Sequence, residues 1–150
     1  MGRMLVKIYE VQTPAEAEAM LALGVDHVGS VVLSGSNWKD PLLRQAVETV
    51  QRLGGKSSLI PLFSEEEAVF RTLDYYRPDI VHFCEMLQET RDGGAADDRL
   101  RRLQLRIRER FAGMRIMRSI PIPPAGRGSR KAVLAAAERF GDVSDFFLTD

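Results

Sequence analysis

The chain alternates short apolar runs with longer segments in which apolar residues recur every three or four positions. The short runs predict strands and the periodic segments predict amphipathic helices. The predicted strands are Met4–Ile8, His27–Leu33, Ser58–Phe63, Ile80–Cys84, Met114–Ile120 and Asp145–Leu148. Because a helix follows each of the first five strands, we expect parallel strands joined by right-handed crossovers.

Polar residues and prolines mark the start of three helices. Thr13-Pro14-Ala15-Glu16 and Ser64–Glu67 have the spacing of capping boxes, and Asp40-Pro41 starts another helix. Two more helices are expected at Arg99–Phe111 and Arg130–Phe140. The polar segment Gln88–Asp98 is expected to be a flexible loop. The pattern alone leaves open a doubly wound sheet or part of a (β/α) barrel.

Composition and the distribution of charges argue against a nucleic-acid partner, an export signal and a membrane span. Lys+Arg and Asp+Glu are equal at 21 each, which argues against a nucleic-acid partner, since such proteins usually carry a basic excess. Lys7, Glu10 and Glu16 interrupt the N-terminus, unlike an export signal, and no apolar run approaches the ~20 residues of a membrane span. Cys84 is the single cysteine. We expect a cytoplasmic protein without a membrane partner.

Six segments, in order along the chain, resemble phosphoribosylanthranilate isomerases. Val6-Lys7-Ile8 is similar to that family's Lys-Ile-Cys-Gly strand, and Leu23–Gly29 is similar to its Leu-Gly-Ala-Asp-Ala-Val-Gly segment. The other four segments are Thr13–Ala17, Pro78–Phe83, Met114–Ser119 and Asp145–Asp150. The resemblance implies an α/β fold of parallel (β/α) units, a partial TIM barrel with six strands of eight. Residues 1–150 would form a single barrel-type domain, incomplete at its C-terminus.

The resemblance also implies an Amadori rearrangement. In that reaction a general acid protonates the ribose ring oxygen and a general base removes the proton from C2′. The acid position corresponds to Asp150. The base position, a cysteine in the family, is Tyr9 here, and a tyrosine with an ordinary pKa of about 10 is a poor base at neutral pH. Cys84, at the family's strand-four histidine position, and Glu10 are the other candidates for the base.

The candidates for contacts with a substrate are Lys7, Glu10, Lys39, His82 and Arg118. Strand alternation is expected to point Lys7 and Tyr9 into the barrel mouth. Lys39 is the nearest replacement for the basic residue in the family's loop after strand two. His82 and Cys84 share a strand face, but an isolated His-x-Cys pair is not specific for a metal, so we expect neither a metal nor a cofactor.

Two functions stay open at this point. One is a protein related to these isomerases, and hence to tryptophan biosynthesis, that binds or converts a small phosphorylated or anionic metabolite. If active, it would be an isomerase of the aldose–ketose type, with chemistry altered or lost because the phosphate-binding loops after strands seven and eight have no counterpart. The alternative is a non-catalytic binding or scaffold domain that self-associates through open sheet edges. A small-molecule ligand and a second copy of the chain are the expected partners.

Overall fold

The computed structural model describes residues 3–87, 94–125 and 127–149. Residue contacts group the chain into two compact units, Met1–Val81 (unit 1) and His82–Asp150 (unit 2). The strands are β1 (Lys7–Ile8), β2 (His27–Val32), β3 (Lys56–Pro61), β4 (Ile80–Phe83), β5 (Arg115–Ile120) and β6 (Phe146–Thr149). The helices are α1 (Pro14–Ala22), α2 (Pro41–Arg52), α3 (Glu66–Tyr76), α4 (Ala95–Arg110) and α5 (Arg130–Phe140). The prediction of a single domain stays a prediction.

The strand order identifies the architecture. The strands follow the chain order, β1-β2-β3-β4-β5-β6, and the pairs β1–β2, β2–β3, β3–β4 and β5–β6 are parallel. A doubly wound sheet reverses its strand order at a switch point, whereas a barrel adds each strand beside the last. The predicted partial (β/α) barrel fold is therefore confirmed. Within the described residues, no helix combines the length and apolar character that crossing a membrane requires.

Local capping signals fix the helix starts of unit 1. Thr13 Oγ1 accepts a hydrogen bond from the Glu16 N–H at 3.3 Å, and the Glu16 carboxylate accepts from the Thr13 N–H at 3.0 Å. This reciprocal pair is the capping box that the sequence predicts. Asp40 Oδ1 accepts from the N–H groups of Leu42 and Leu43 at the start of α2. Both helices thus begin where side chains satisfy otherwise unpaired backbone donors.

The core defines the two faces of each strand. In unit 1, Val28 of β2 packs with Ala17 of α1 and Val50 of α2. Since side chains alternate along a strand, His27 and Gly29 lie on the face of β2 turned away from these helices.

The same argument orients β5 in unit 2. Ile120 packs with Leu100 of α4 and Phe140 of α5, so Ile120 and Arg118 face the helices, and Ser119 lies on the opposite face.

Two local predictions are wrong. The expected capping box at Ser64–Glu67 is absent, because the residue that precedes α3 is Glu65 and its side chain makes no capping bond. The predicted loop Gln88–Asp98 is helical from Ala95 onward, and its first part, residues 88–93, lies outside the described residues. Here Asp97 is fully buried and pairs with Arg139 Nη1 at 2.6 Å, a long-range contact that stabilises the first turn of α4.

Candidate functional site

A polar cluster surrounds Lys7 on the face of β1–β3 turned away from α1 and α2. Lys7 Nζ donates to Ser58 Oγ at 2.9 Å and lies 4.8 Å from the centroid of the Tyr9 ring. The structure therefore brings two of the predicted site residues, Lys7 and Tyr9, into contact. Ser58 was not predicted, and only its place in the alternation of β3 could have indicated it.

Gly29 makes room for the Tyr9 ring. A Cβ atom at Gly29 would lie 3.0 Å from the carbonyl oxygen of Ile8 and 3.5 Å from Tyr9 Cδ1. The first distance is tighter than ordinary van der Waals contact, so the close approach of β1 to β2 requires glycine here. Tyr9 thus packs over a glycine at the end of β1.

Glu10 adopts a strained backbone conformation beside Tyr9. Its φ is +60°, in the left-handed region that costs an ordinary L-residue about 1–2 kcal/mol. The isomerase family has glycine at this position, which adopts that conformation without the penalty. The Glu10 side chain is exposed, and its role as a ligand contact or as the base stays a prediction.

His27 is buried next to Lys7 across the β1–β2 pair. Burial lowers the pKa of His27, and the nearby charge of Lys7 lowers it further. The imidazole therefore favours its neutral form, which suits a residue that packs beside a basic side chain.

A cavity of about 380 Å³ opens beside the carboxyl ends of β1 and β2. Its walls combine apolar and polar side chains, namely those of Gln12, Val31, Val32, Leu33, Ser34, Asn37, Trp38, Lys39, Asp40, Pro41, Leu43 and Tyr76. Gln12 is fixed by Val31, since its amide donates to the Val31 carbonyl at 3.0 Å and accepts from the Val31 N–H at 2.8 Å. Of the wall residues in the described part of the chain, Lys39 is the only basic one.

Tyr76 of α3 anchors the loop between β2 and α2, residues 33–40, which forms part of the cavity wall. Its hydroxyl donates to the Trp38 carbonyl at 2.8 Å and accepts from the Asp40 N–H at 2.8 Å. Burial raises the pKa of Tyr76, so the phenol keeps the proton that it donates. No local pattern indicates this role, because the bonds join residues more than 30 positions apart.

Three basic side chains stack on aromatic rings around the same loop. Lys39 Nζ and Arg44 Cζ lie 5.2 and 4.8 Å from the centroid of the Tyr75 ring. Arg71 Cζ lies 5.7 Å from the Trp38 ring, and its Nη2 donates to the Gly35 carbonyl at 2.7 Å. Cations that stack on aromatic faces gain modest energy. Lys39 lines the cavity itself, whereas Arg44 and Arg71 lie on rings of the neighbouring residues Tyr75 and Trp38.

The predicted residues His82 and Cys84 lie in unit 2. His82 is buried, and its Nε2 is 3.0 Å from Ser119 Oγ, a partner that the sequence did not indicate. Cys84 is exposed and not in a disulfide. Within residues 3–87, 94–125 and 127–149, no group of three His, Cys, Asp or Glu side chains is arranged to hold a metal ion.

Arg118 is fully buried on the helix-facing side of β5. Its Nε donates to Gln104 Oε1 and its Nη1 donates to Glu85 Oε2, both at 2.8 Å. Burial lowers the pKa of Arg118, and the Glu85 carboxylate opposes that shift. Contact with a substrate stays a prediction for Arg118. The predicted general acid, Asp150, lies outside the described residues.

The fold defines a class of protein, the parallel (β/α) barrel-type proteins. The cavity lies at the carboxyl ends of strands, where barrels of this kind bind their ligands. Among solved structures, the chain is similar to phosphoribosylanthranilate isomerases. The enzyme from Pyrococcus furiosus matches with a TM-score of 0.73 and 18% identity, over 99% of this chain and 67% of that one. The enzyme from Thermotoga maritima matches with a TM-score of 0.67 and 14% identity, over 99% and 62%.

The isomerase from Thermococcus kodakaraensis has a TM-score of 0.60 at 15% identity, and its match covers 65% of that enzyme. The chain thus spans about two thirds of the length of these enzymes. No family model and no curated protein sequence matches it. The predicted resemblance is confirmed at the level of the fold.

Proposed function

We propose that the chain binds a small anionic metabolite, such as a carboxylate or a sugar phosphate, in the cavity beside the carboxyl ends of β1 and β2. The observation that carries this proposal is the cavity of about 380 Å³ with Lys39 in its wall. Its volume is within the range of about 300–1,000 Å³ of small-molecule sites.

The charges around the cavity favour an anion. Lys39 lies in the wall, and Arg44 and Arg71 are nearby, each on the ring of Tyr75 or Trp38. Among the described residues of the wall, the one acidic side chain is that of Asp40. Its carboxylate accepts two backbone N–H bonds at the start of α2, where the helix dipole also offsets its charge.

The chemistry of the family is altered or lost in this proposal. Tyr9 holds the position of the base, but its ring packs between Lys7 and Gly29, and a phenol is an inefficient base near pH 7. Any remaining isomerisation would depend on Asp150 as the acid and on Tyr9, Cys84 or Glu10 as the base. A cytoplasmic location and a link to tryptophan biosynthesis belong to the same proposal and rest only on the similarity to the isomerases.

Titration of the protein with anthranilate and with ribose 5-phosphate tests the binding proposal. Trp38 is the only tryptophan of the chain and lines the cavity, so its fluorescence should change on binding. The Lys39→Met variant should bind about tenfold more weakly, a loss of about 1.4 kcal/mol. The exposed Lys131 supplies the matched control, Lys131→Met, which should bind like the wild type. Equal affinities for the wild type and Lys39→Met, or no binding at all, would rule the proposal out.

An isomerase assay separates binding from turnover. Consumption of phosphoribosylanthranilate that Asp150→Asn abolishes would show that the ancestral chemistry survives. Binding without consumption would support a ligand-binding role with lost chemistry.

Exposed apolar residues before and in β1 favour a second candidate function, a scaffold domain that self-associates. Met4 and Leu5 are 81% and 62% exposed, and β1 stands at the end of the strand order. Unpaired strand edges with apolar side chains are sites of association. Size-exclusion chromatography with light scattering should then show a dimer that Leu5→Lys dissociates. The control Leu134→Lys, at an exposed leucine of α5, should leave the dimer intact, and a wild-type monomer at every concentration would exclude this function.

A further inference from the structure

Unit 2 contains a polar site of its own, built around Arg118. The Arg118 side chain is 0% exposed, and Gln104 and Glu85 each accept one of its hydrogen bonds at 2.8 Å. The rings of Phe83 and Phe140 lie on it, each centroid 5.1 Å from Cζ. These contacts hold the guanidinium in one orientation.

Two atoms of this ion pair have no hydrogen-bond partner among the described residues. Arg118 Nη2 and Glu85 Oε1 are buried and make no hydrogen bond within the part of the chain that the structure describes. Buried donors and acceptors in proteins are nearly always paired, because burial has removed their bonds to water. Both atoms belong to groups already joined by the 2.8 Å bond from Nη1 to Oε2. A single small group could serve both atoms only from a position beside that bond.

The two atoms have opposite requirements. Arg118 Nη2 is a donor and needs an acceptor, whereas a carboxylate oxygen such as Glu85 Oε1 needs a donor. A phosphate or a carboxylate offers acceptors only, and Glu85 would repel it. An ammonium group offers donors only, and Arg118 would repel it. A hydroxyl group offers one donor and two acceptor sites and carries no charge.

We propose that Arg118 and Glu85 form a binding site for a neutral hydroxyl group, supplied either by a water molecule or by a polyol such as ribose. The site is independent of the anionic metabolite proposed for unit 1. It also changes the role predicted for Arg118, because a guanidinium already neutralised by Glu85 selects a hydroxyl rather than the anionic part of a ligand.

The position of Glu85 gives this site an entrance. Glu85 is two residues beyond the end of β4, at the carboxyl end where barrel-type folds bind their ligands. Its side chain is 23% exposed, whereas Arg118 is closed off. A hydroxyl would therefore reach Arg118 from the Glu85 side.

Crystals of the wild-type protein grown without polyols, and the same crystals soaked in ribose, test the proposal directly. An oxygen within about 3.2 Å of both Arg118 Nη2 and Glu85 Oε1 supports it. A water in both crystals identifies water as the occupant, and a ribose hydroxyl in the soaked crystal identifies a polyol. A direct bond between Nη2 and Oε1, or partners for both atoms from the protein alone, would overturn it.

A solution measurement complements the crystals. The Nη2 protons of Arg118 should show magnetisation transfer from a long-lived water, and ribose should remove this signal only if a polyol is the occupant. If ribose binds, Glu85→Ala should weaken its binding at least tenfold, while Glu138→Gln, at an exposed carboxylate of α5, should not change it. Absence of both the water signal and ribose binding would overturn the proposal, and this wild-type result does not depend on the folding of a variant.

Discussion

Replacing Glu85 by glutamine removes the carboxylate that is bound to the fully buried guanidinium of Arg118. Arg118 lies between two phenyl rings with its Nη1 bonded to Glu85, and bulk water cannot replace that charge. The glutamine side chain is about as large as that of glutamate, and its amide oxygen can still accept a hydrogen bond from Arg118 Nη1. The change therefore isolates the loss of the negative charge.

The expected cost follows from the burial of the pair. Removing one partner of a buried ion pair costs about 3–5 kcal/mol. The Glu85 side chain is 23% exposed and the amide keeps one hydrogen bond, so we expect a smaller loss, about 2–3 kcal/mol. With a urea dependence of about 1–3 kcal/mol per molar for proteins of this size, the unfolding midpoint should fall by about 1–2 M.

Urea unfolding followed by circular dichroism measures this loss. The control Glu138→Gln removes an exposed carboxylate from the same unit and should change the free energy of unfolding by less than about 0.5 kcal/mol. The double variant Glu85→Gln/Arg118→Met should be more stable than Glu85→Gln alone, because it also removes the uncompensated charge and keeps an apolar stem between the rings. A Glu85→Gln variant as stable as its control would refute the argument that Arg118 depends on this carboxylate.

Three further predictions concern unit 1. Burial lowers the pKa of His27 from its ordinary value of 6.5. Below that pH the unfolded chain therefore binds a proton that the folded chain does not, and the free energy of unfolding falls as the pH falls. Urea unfolding of His27→Gln between about pH 5 and 7 should show a weaker pH dependence than the wild type, and equal slopes would contradict this account. Tyr76→Phe removes the bonds to Trp38 and Asp40 and should cost about 1–2 kcal/mol in chemical denaturation; an unchanged midpoint would mean that the hydroxyl does not anchor the loop. Glu10→Gly should gain up to about 1 kcal/mol by relieving the left-handed strain, and thermal unfolding should show no such gain for Glu10→Ala, which keeps a Cβ at φ +60°.

Much of the fold could be predicted because its signals are local. The helix starts at Thr13 and Asp40 depend on side chains within three residues of the cap, and the parallel strands follow from the repeated strand–helix pattern. The pattern did not determine the strand order, which the resemblance to barrel proteins indicated. The start of α4 could not be predicted in this way. It depends on the pair between Asp97 and Arg139, and a polar, glycine-containing segment gives no local sign of such a distant partner.

In the candidate site, too, the features with a local sequence signal could be predicted and those that depend on distant partners could not. Strand alternation predicted that Lys7 and Tyr9 share a face, and the structure puts them in contact. Tyr76 was missed, because its role depends on a hydroxyl that reaches a loop in another part of unit 1. Alternation also cannot say which face of β5 is turned to the helices, so it gives no sign that Arg118 bonds to Gln104 and Glu85.

Tyr9 and Glu10 follow β1 and are exposed. The Tyr9 ring packs against Gly29, and Glu10 adopts a left-handed backbone conformation. The helix-facing residues Val28 and Ile120 remain in ordinary apolar clusters. The apolar packing that stabilises the two units therefore involves neither Tyr9 nor Glu10. Under the proposed function, a ligand search should begin with simple carboxylates and phosphates that suit Lys39 in the cavity wall.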